Sequence, residues 1–147
     1  MFERRNVIGD MPMDDTIRLL TRRYKTNCPF RIAEALGIHV RYRDLGEETR
    51  GLYFRKLRRR FIVIGSNLSE EWQRFVCAHE LAHDRLHKGI GYYFIEGQTL
   101  FRPGKLERQA NRFALKLLSH GTSPGEGETA EQYLVRLGIP AEMSEYL

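Results

Sequence analysis

The sequence predicts an α+β domain, a small three-stranded sheet packed on a layer of helices. Three observations carry that expectation. "SNLSEEWQRFVCAHELAHDRLH" reads as a capped helix with one apolar face, and two strand-like runs, "GLYF" and "FIVIG", precede it. A second periodic segment, "GKLERQANRFALKLLSHG", follows. Helical and strand periods in one short chain fit helices segregated against a sheet.

Residues 1–13, with Gly9 and Pro12, form no clear element. Asp14 or Asp15 can cap a first helix that carries Ile17, Leu20 and Tyr24. A second helix opens at Pro29, a favourable first-turn residue, and stops at Gly37. Ile38–Tyr42 alternates as a strand. "LYF" and "FIVIG" pair as a hairpin, giving an antiparallel or mixed sheet. Ser69 caps the next helix, with Glu70 and Glu71 near its positive end. The aromatic, Gly-rich stretch from Gly89 to Gly104 walls or covers a cleft. On the following helix Leu106, Ala110, Phe113, Ala114 and Leu117 form the apolar face. "SHGTSPGEGE" is a linker. A short helix capped at Gly138 then docks through Ala130, Leu134 and Leu137.

With 147 residues, one domain is the expectation. Hydrophobic content of 41% suffices for a core, and no apolar run approaches the ~20 residues of a bilayer span. The N-terminus lacks a signal-peptide pattern, so the expected location is the cytoplasm. Cys28 and Cys77 stand far apart in no C-x-x-C pattern and read as free thiols. Net charge is +5, with a cluster at Arg55, Lys56, Arg58, Arg59 and Arg60. Flanked by strands, that cluster reads as a solvated hairpin turn, ahead of an acidic-protein docking surface or a DNA contact. No DNA-binding motif is present, so direct nucleic-acid binding is not expected, nor is a membrane partner.

The chemistry concentrates in "VCAHELAHDRLH". Trp72, Phe75, Val76, Ala82 and Leu86 lie on one helical face, and His79 and His83 fall on that same face. A buried imidazole needs a partner for each nitrogen. A metal ion answers the need, because residues at i and i+4 sit about 6 Å apart and project together. "HELAH" fits H-E-x-x-H, in which the histidines ligate and the glutamate, here Glu80, acts as general base on a water activated by zinc. Chance matches to three fixed positions occur, but chance does not place them on the apolar face of a capped helix.

Catalytic zinc takes a third protein ligand. His87 is too far along the axis from His79, about 12 Å, to join them. It reads as a helix-end residue near the dipole's negative pole, with a minor role either in supporting a metal ligand or in touching substrate. Glu107 leads for the third position, with His120 and Glu96 as the other candidates. Asn111 can orient Glu107 or a ligand imidazole. Tyr92 or Tyr93 can polarise the scissile carbonyl, although packing of the loop explains them more simply.

The ordered set of a Gly-opened hairpin, the "AHELAH" helix and "LERQANRFA", entered through "PFRIAEALGIHV", resembles the ImmA/IrrE family of metallopeptidases. The likeness covers about residues 14–120. It implies a zincin-like peptidase domain over 1–120, with 121–147 as a short helical extension. It also implies one zinc per chain, held by His79, His83 and Glu107, with Glu80 as base. The implied substrate is a DNA-binding repressor of a phage or mobile element. Ala82 departs from the family, many of whose members carry glycine there. The alternative is a binding module, with or without metal, that inactivates its target by contact. An intact Glu80 counts against it, because a structural zinc site needs no base. Zinc is the metal expected from the ligand types, with manganese or iron able to occupy such a site.

Overall fold

In the computed structural model, which describes residues 11–87 and 104–147, the sheet is built around its last strand. β1 (His39–Arg43), β2 (Gly51–Lys56) and β3 (Arg59–Gly65) lie in the order β1-β3-β2. β1 runs parallel to β3 and β2 antiparallel to it, so the sheet is mixed. Alternation along β3 turns Ile62 and Ile64 into the core, where both are fully buried. Tyr53 pairs with Ile62 and Gly51 with Ile64, so these face the core too. The β2–β3 turn consists of Leu57 and Arg58, both left-handed at φ 53° and 73°. Two left-handed residues match the twist of a two-residue hairpin.

Among the described residues the chain forms five helices, α1 (Met13–Tyr24), α2 (Pro29–Ala35), α3 (Glu70–Leu86), α4 (Lys105–Leu118) and α5 (Ala130–Arg136), of which α2 and α3 pack on the sheet. A 3₁₀ segment, Ala141–Tyr146, closes the chain. α3 starts as expected, the Ser69 hydroxyl accepting from the Trp72 amide at 3.3 Å. From Phe75 to Ala82 every residue of α3 is buried, so the helix is enclosed on all sides there. β2 approaches it so closely that a Cβ on Gly51 would stand 2.3 Å from Val76 Cγ1. α4 packs along α3, burying Ala110, Phe113, Ala114 and Leu117. Asn27 Nδ2 donates to the Leu117 and Leu118 carbonyls, closing the far end of α4. α5 begins with a capping box of Thr129 and Gln132. Tyr133, Leu134, Ile139 and Met143 join the same buried cluster as α3 and α4.

Several local expectations need correction. Pro12, not Asp14 or Asp15, precedes the first turn of α1; both aspartates lie within that turn, and Asp14 pairs with Lys116 at 2.8 Å. Leu106 is 38% exposed, because it sits on the first turn of α4, where the described residues leave it uncovered. Leu134 and Leu137 pack on the core as expected, but Ala130 is exposed and Tyr133 takes its place. Arg60 is no solvated turn residue. It shares the inward side of β3 with Ile62 and donates to both oxygens of buried Asp84 at 3.0 Å and to the Leu36 carbonyl. Tyr53 donates to the same carboxylate at 2.6 Å. Among the described residues, no helix is long and apolar enough to cross a membrane.

Candidate metal centre

α3 and α4 bring three donor atoms to one point. His79 and His83 stand one turn apart on α3, their ring centroids 5.1 Å from each other. Across the gap, α4 offers Glu107 from its first turn. A single carboxylate oxygen, Oε1, lies 2.9 Å from His79 Nε2 and 3.2 Å from His83 Nε2. Burial alone would raise the Glu107 carboxyl, but the two imidazoles facing it hold it down at about 2. An ionised carboxylate therefore faces two imidazole nitrogens.

Glu80 is the second carboxylate of the cluster. It is 3% exposed, and its ligand atom and those of His79 and His83 all lie within 4.8 Å of one another. Its position on the helix is one residue, about 100°, round from His79. Glu80 Oε2 would meet a Cβ on Gly51 at 3.2 Å, so the bare backbone at the start of β2 leaves room for this carboxylate. Two carboxylates thus compete for a metal. Glu107 has the better claim to ligation, because one oxygen faces both Nε2 atoms.

The far sides of the imidazoles are also occupied. Asn111 Oδ1 lies 2.8 Å from His79 Nδ1, and the asparagine is fully buried. Its Nδ2 is a buried polar atom without a partner among the described residues. His87 Nδ1 lies 2.9 Å from His83 Nδ1, and Gln109 Oε1 lies 2.9 Å from His87 Nε2. His87 ends α3, as expected of a helix-end residue. Burial pushes its imidazole pKa down from the ordinary histidine value. The contact with His83 and the part played by Gln109 were not read from the sequence. Gln109 lies two residues after Glu107, a spacing that gives no helical-face signal. Gly51 was likewise passed over, although a glycine opening a strand invites the question of what approaches it.

His120 is not brought to the cluster. It follows the opposite end of α4, about 20 Å from Glu107 by helical rise, and its Nε2 lies 3.3 Å from the Thr21 hydroxyl. Glu96, Tyr92 and Tyr93 lie outside the described residues. Cys77 is fully buried, burial raising its thiol, and both cysteines are free.

The donor set fits a divalent cation of borderline softness: two imidazole nitrogens and a carboxylate oxygen, with a second carboxylate beside them. Asn111 Oδ1 accepts from a protonated His79 Nδ1, the tautomer whose Nε2 lone pair is free for a metal.

The profile of a peptidase family, the IrrE N-terminal-like domain, matches residues 33–119, which include both α3 histidines and Glu107. An uncharacterized immunity region protein 2 of Bacillus phage phi105 is 36% identical over 132 residues, covering 87% of this chain and 84% of the relative. Metallopeptidase ImmA of Bacillus subtilis (strain 168) is 27% identical over 137 residues, covering 88% of this chain and 80% of the relative.

Proposed function

This chain belongs to the IrrE N-terminal-like family of metallopeptidases, and from that premise we propose that it is a zinc-dependent endopeptidase that cleaves a repressor-like regulatory protein. The observation that carries the proposal is Glu107 Oε1 facing both His79 Nε2 and His83 Nε2. His79, His83 and Glu107 hold the zinc, and Asn111 orients His79. The bound zinc supplies Lewis-acid polarisation of the scissile carbonyl and of the attacking water.

Glu80 is the general base. Its carboxylate takes a proton from the water as that water attacks, then delivers the proton to the amine nitrogen as the carbon–nitrogen bond breaks. Burial at 3% exposure keeps bulk water from competing for that carboxylate. β2 offers the substrate an edge, because it pairs with β3 on one side and with no strand on the other among the described residues. An extended peptide adding there by backbone pairing would run past Gly51 and hence past Glu80. The relatives from a phage immunity region and from ImmA support a repressor as target. A DNA-binding target places the reaction in the cytoplasm.

The test is elemental analysis of purified protein, with Glu107→Ala and His83→Ala in parallel. One zinc per wild-type chain, lost in both variants, is the expected result. Glu80→Gln should keep zinc and fail to cleave a co-expressed candidate repressor that the wild type cleaves. Zinc retained in Glu107→Ala would move the third ligand elsewhere. No metal after refolding with zinc would overturn the peptidase reading and leave a protein that acts by contact alone.

A further inference from the structure

We propose that His87 and Gln109 are positioning residues that select the tautomer in which His83 can ligate a metal. The inference rests on the metallopeptidase reading above and adds to it a proton arrangement the family likeness does not supply.

A neutral imidazole has one N–H and one lone pair. His83 must place the lone pair on Nε2, the atom facing Glu107 Oε1 at 3.2 Å, to bind a metal there. Its Nδ1 must then carry the proton and find an acceptor. The atom opposite is His87 Nδ1, at 2.9 Å. In an N–H···N contact only one of the two nitrogens can hold the proton, so the contact alone decides nothing. The far side of His87 decides it. His87 Nε2 faces Gln109 Oε1 at 2.9 Å, and a carbonyl oxygen only accepts. His87 Nε2 therefore carries its proton, His87 Nδ1 presents a lone pair, and the shared proton belongs to His83. With the Gln109 amide turned the other way, the chain of donors would run in reverse. His83 would then be protonated on Nε2 and would donate to Glu107, an arrangement that excludes a metal.

His79 is settled by the same logic in one step, through Asn111 Oδ1 on its Nδ1 at 2.8 Å. α4 thus supplies a carboxylate to both imidazoles from Glu107 and an amide oxygen to each imidazole's rear, directly from Asn111 and through His87 from Gln109. This arrangement explains a third imidazole beside a pair that needs only one more ligand.

The experiment measures zinc affinity of the full chain by competition with a chromogenic chelator, alongside thermal unfolding of the metal-free proteins. His87→Ala and Gln109→Met should bind zinc about 10–100-fold more weakly, the usual cost of losing an orienting partner. Gln109→Glu, which keeps an acceptor oxygen, should bind at least as tightly as wild type. In zinc-loaded, ¹⁵N-labelled protein, a nitrogen–nitrogen coupling across the hydrogen bond should link His83 Nδ1 to His87 Nδ1. It should persist in Gln109→Glu and vanish in His87→Ala. Unchanged affinity in both His87→Ala and Gln109→Met, or absence of the coupling, would overturn the inference while leaving the metal site standing. A wild-type chain that binds no zinc would overturn both.

Discussion

Replacing Gly51 by alanine probes the closest approach in the fold. The added methyl would stand 2.3 Å from Val76 Cγ1, 3.1 Å from the Val63 carbonyl oxygen and 3.2 Å from Glu80 Oε2. The backbone at Gly51 is not left-handed, so the alanine is refused for lack of space and not for its dihedral angles. Val76 is 1% exposed and cannot swing into solvent, so either it leaves its rotamer or β2 moves off α3. Overpacking of this kind costs about 1–3 kcal/mol. The reduced freedom of the unfolded chain returns about 0.4–1 kcal/mol, leaving a net loss near 1–2 kcal/mol. For a chain of this size that lowers Tm by roughly 3–6 °C. The assay is urea and thermal unfolding of wild type, Gly51→Ala, Val76→Ala and the double variant, all metal-free. Val76→Ala alone loses about 1.6 kcal/mol of burial, plus a cavity term. In that background the new methyl has room, so the two effects should fall short of their sum by ~1 kcal/mol or more. A cost of Gly51→Ala that is identical in both backgrounds, or no cost at all, would refute the close approach.

Two more outcomes follow from buried polar contacts. Burial would raise the Asp84 carboxyl, but Tyr53, Arg85 and Arg60 together hold it below the usual carboxylate range. A depressed folded-state value contributes stability above the unfolded pKa of about 4 that is lost as pH falls through the folded one. Wild-type unfolding free energy should therefore drop below about pH 4, with Glu107 adding to the loss in the same direction. Asp84→Asn should lower stability at pH 7 by about 3 kcal/mol and flatten the acid slope; identical slopes would contradict the pairing. Thr129→Ala removes one half of the α5 capping box and should cost about 1 kcal/mol. Hydrogen exchange across residues 130–136 would show the loosening, and unchanged protection there would refute the cap.

Elements with chemical punctuation were legible in the sequence. Ser69 with two following glutamates placed the start of α3, and Pro29 with Gly37 bracketed α2. The hairpin followed from two apolar runs, and its mixed sheet partner from the alternation after Gly37. Where the reading failed, tertiary contact outweighed local pattern. Five cations near one turn suggested solvent, yet the two-residue period that buries Ile62 and Ile64 carries Arg60 inward with them, to Asp84 on α3. Leu106 and Ala130 obeyed helical periodicity but occupy first turns that extend past their neighbours. In the metal centre, the spacing of His79 and His83 was visible because it repeats the helical turn. The approach of Gln109 to His87 was not, because it depends on how α4 rotates against α3.

The metal centre draws on positions of unequal firmness. His79 sits in the enclosed stretch of α3, whereas His83, half-buried, sits in that helix's last turn. Glu107 sits in the first turn of α4, whose cap residue, Gly104, offers no side chain to the free amides. Helix ends of this kind open at little free-energy cost, whereas core helices open only with the whole molecule. Under the proposed assignment, two of the three ligands, His83 and Glu107, therefore stand on terminal turns, and only His79 is held in the enclosed stretch. Gln109 lies in the following turn of α4, so an opening that spread from the first turn would withdraw the carboxylate and then unsettle the proton chain behind His83.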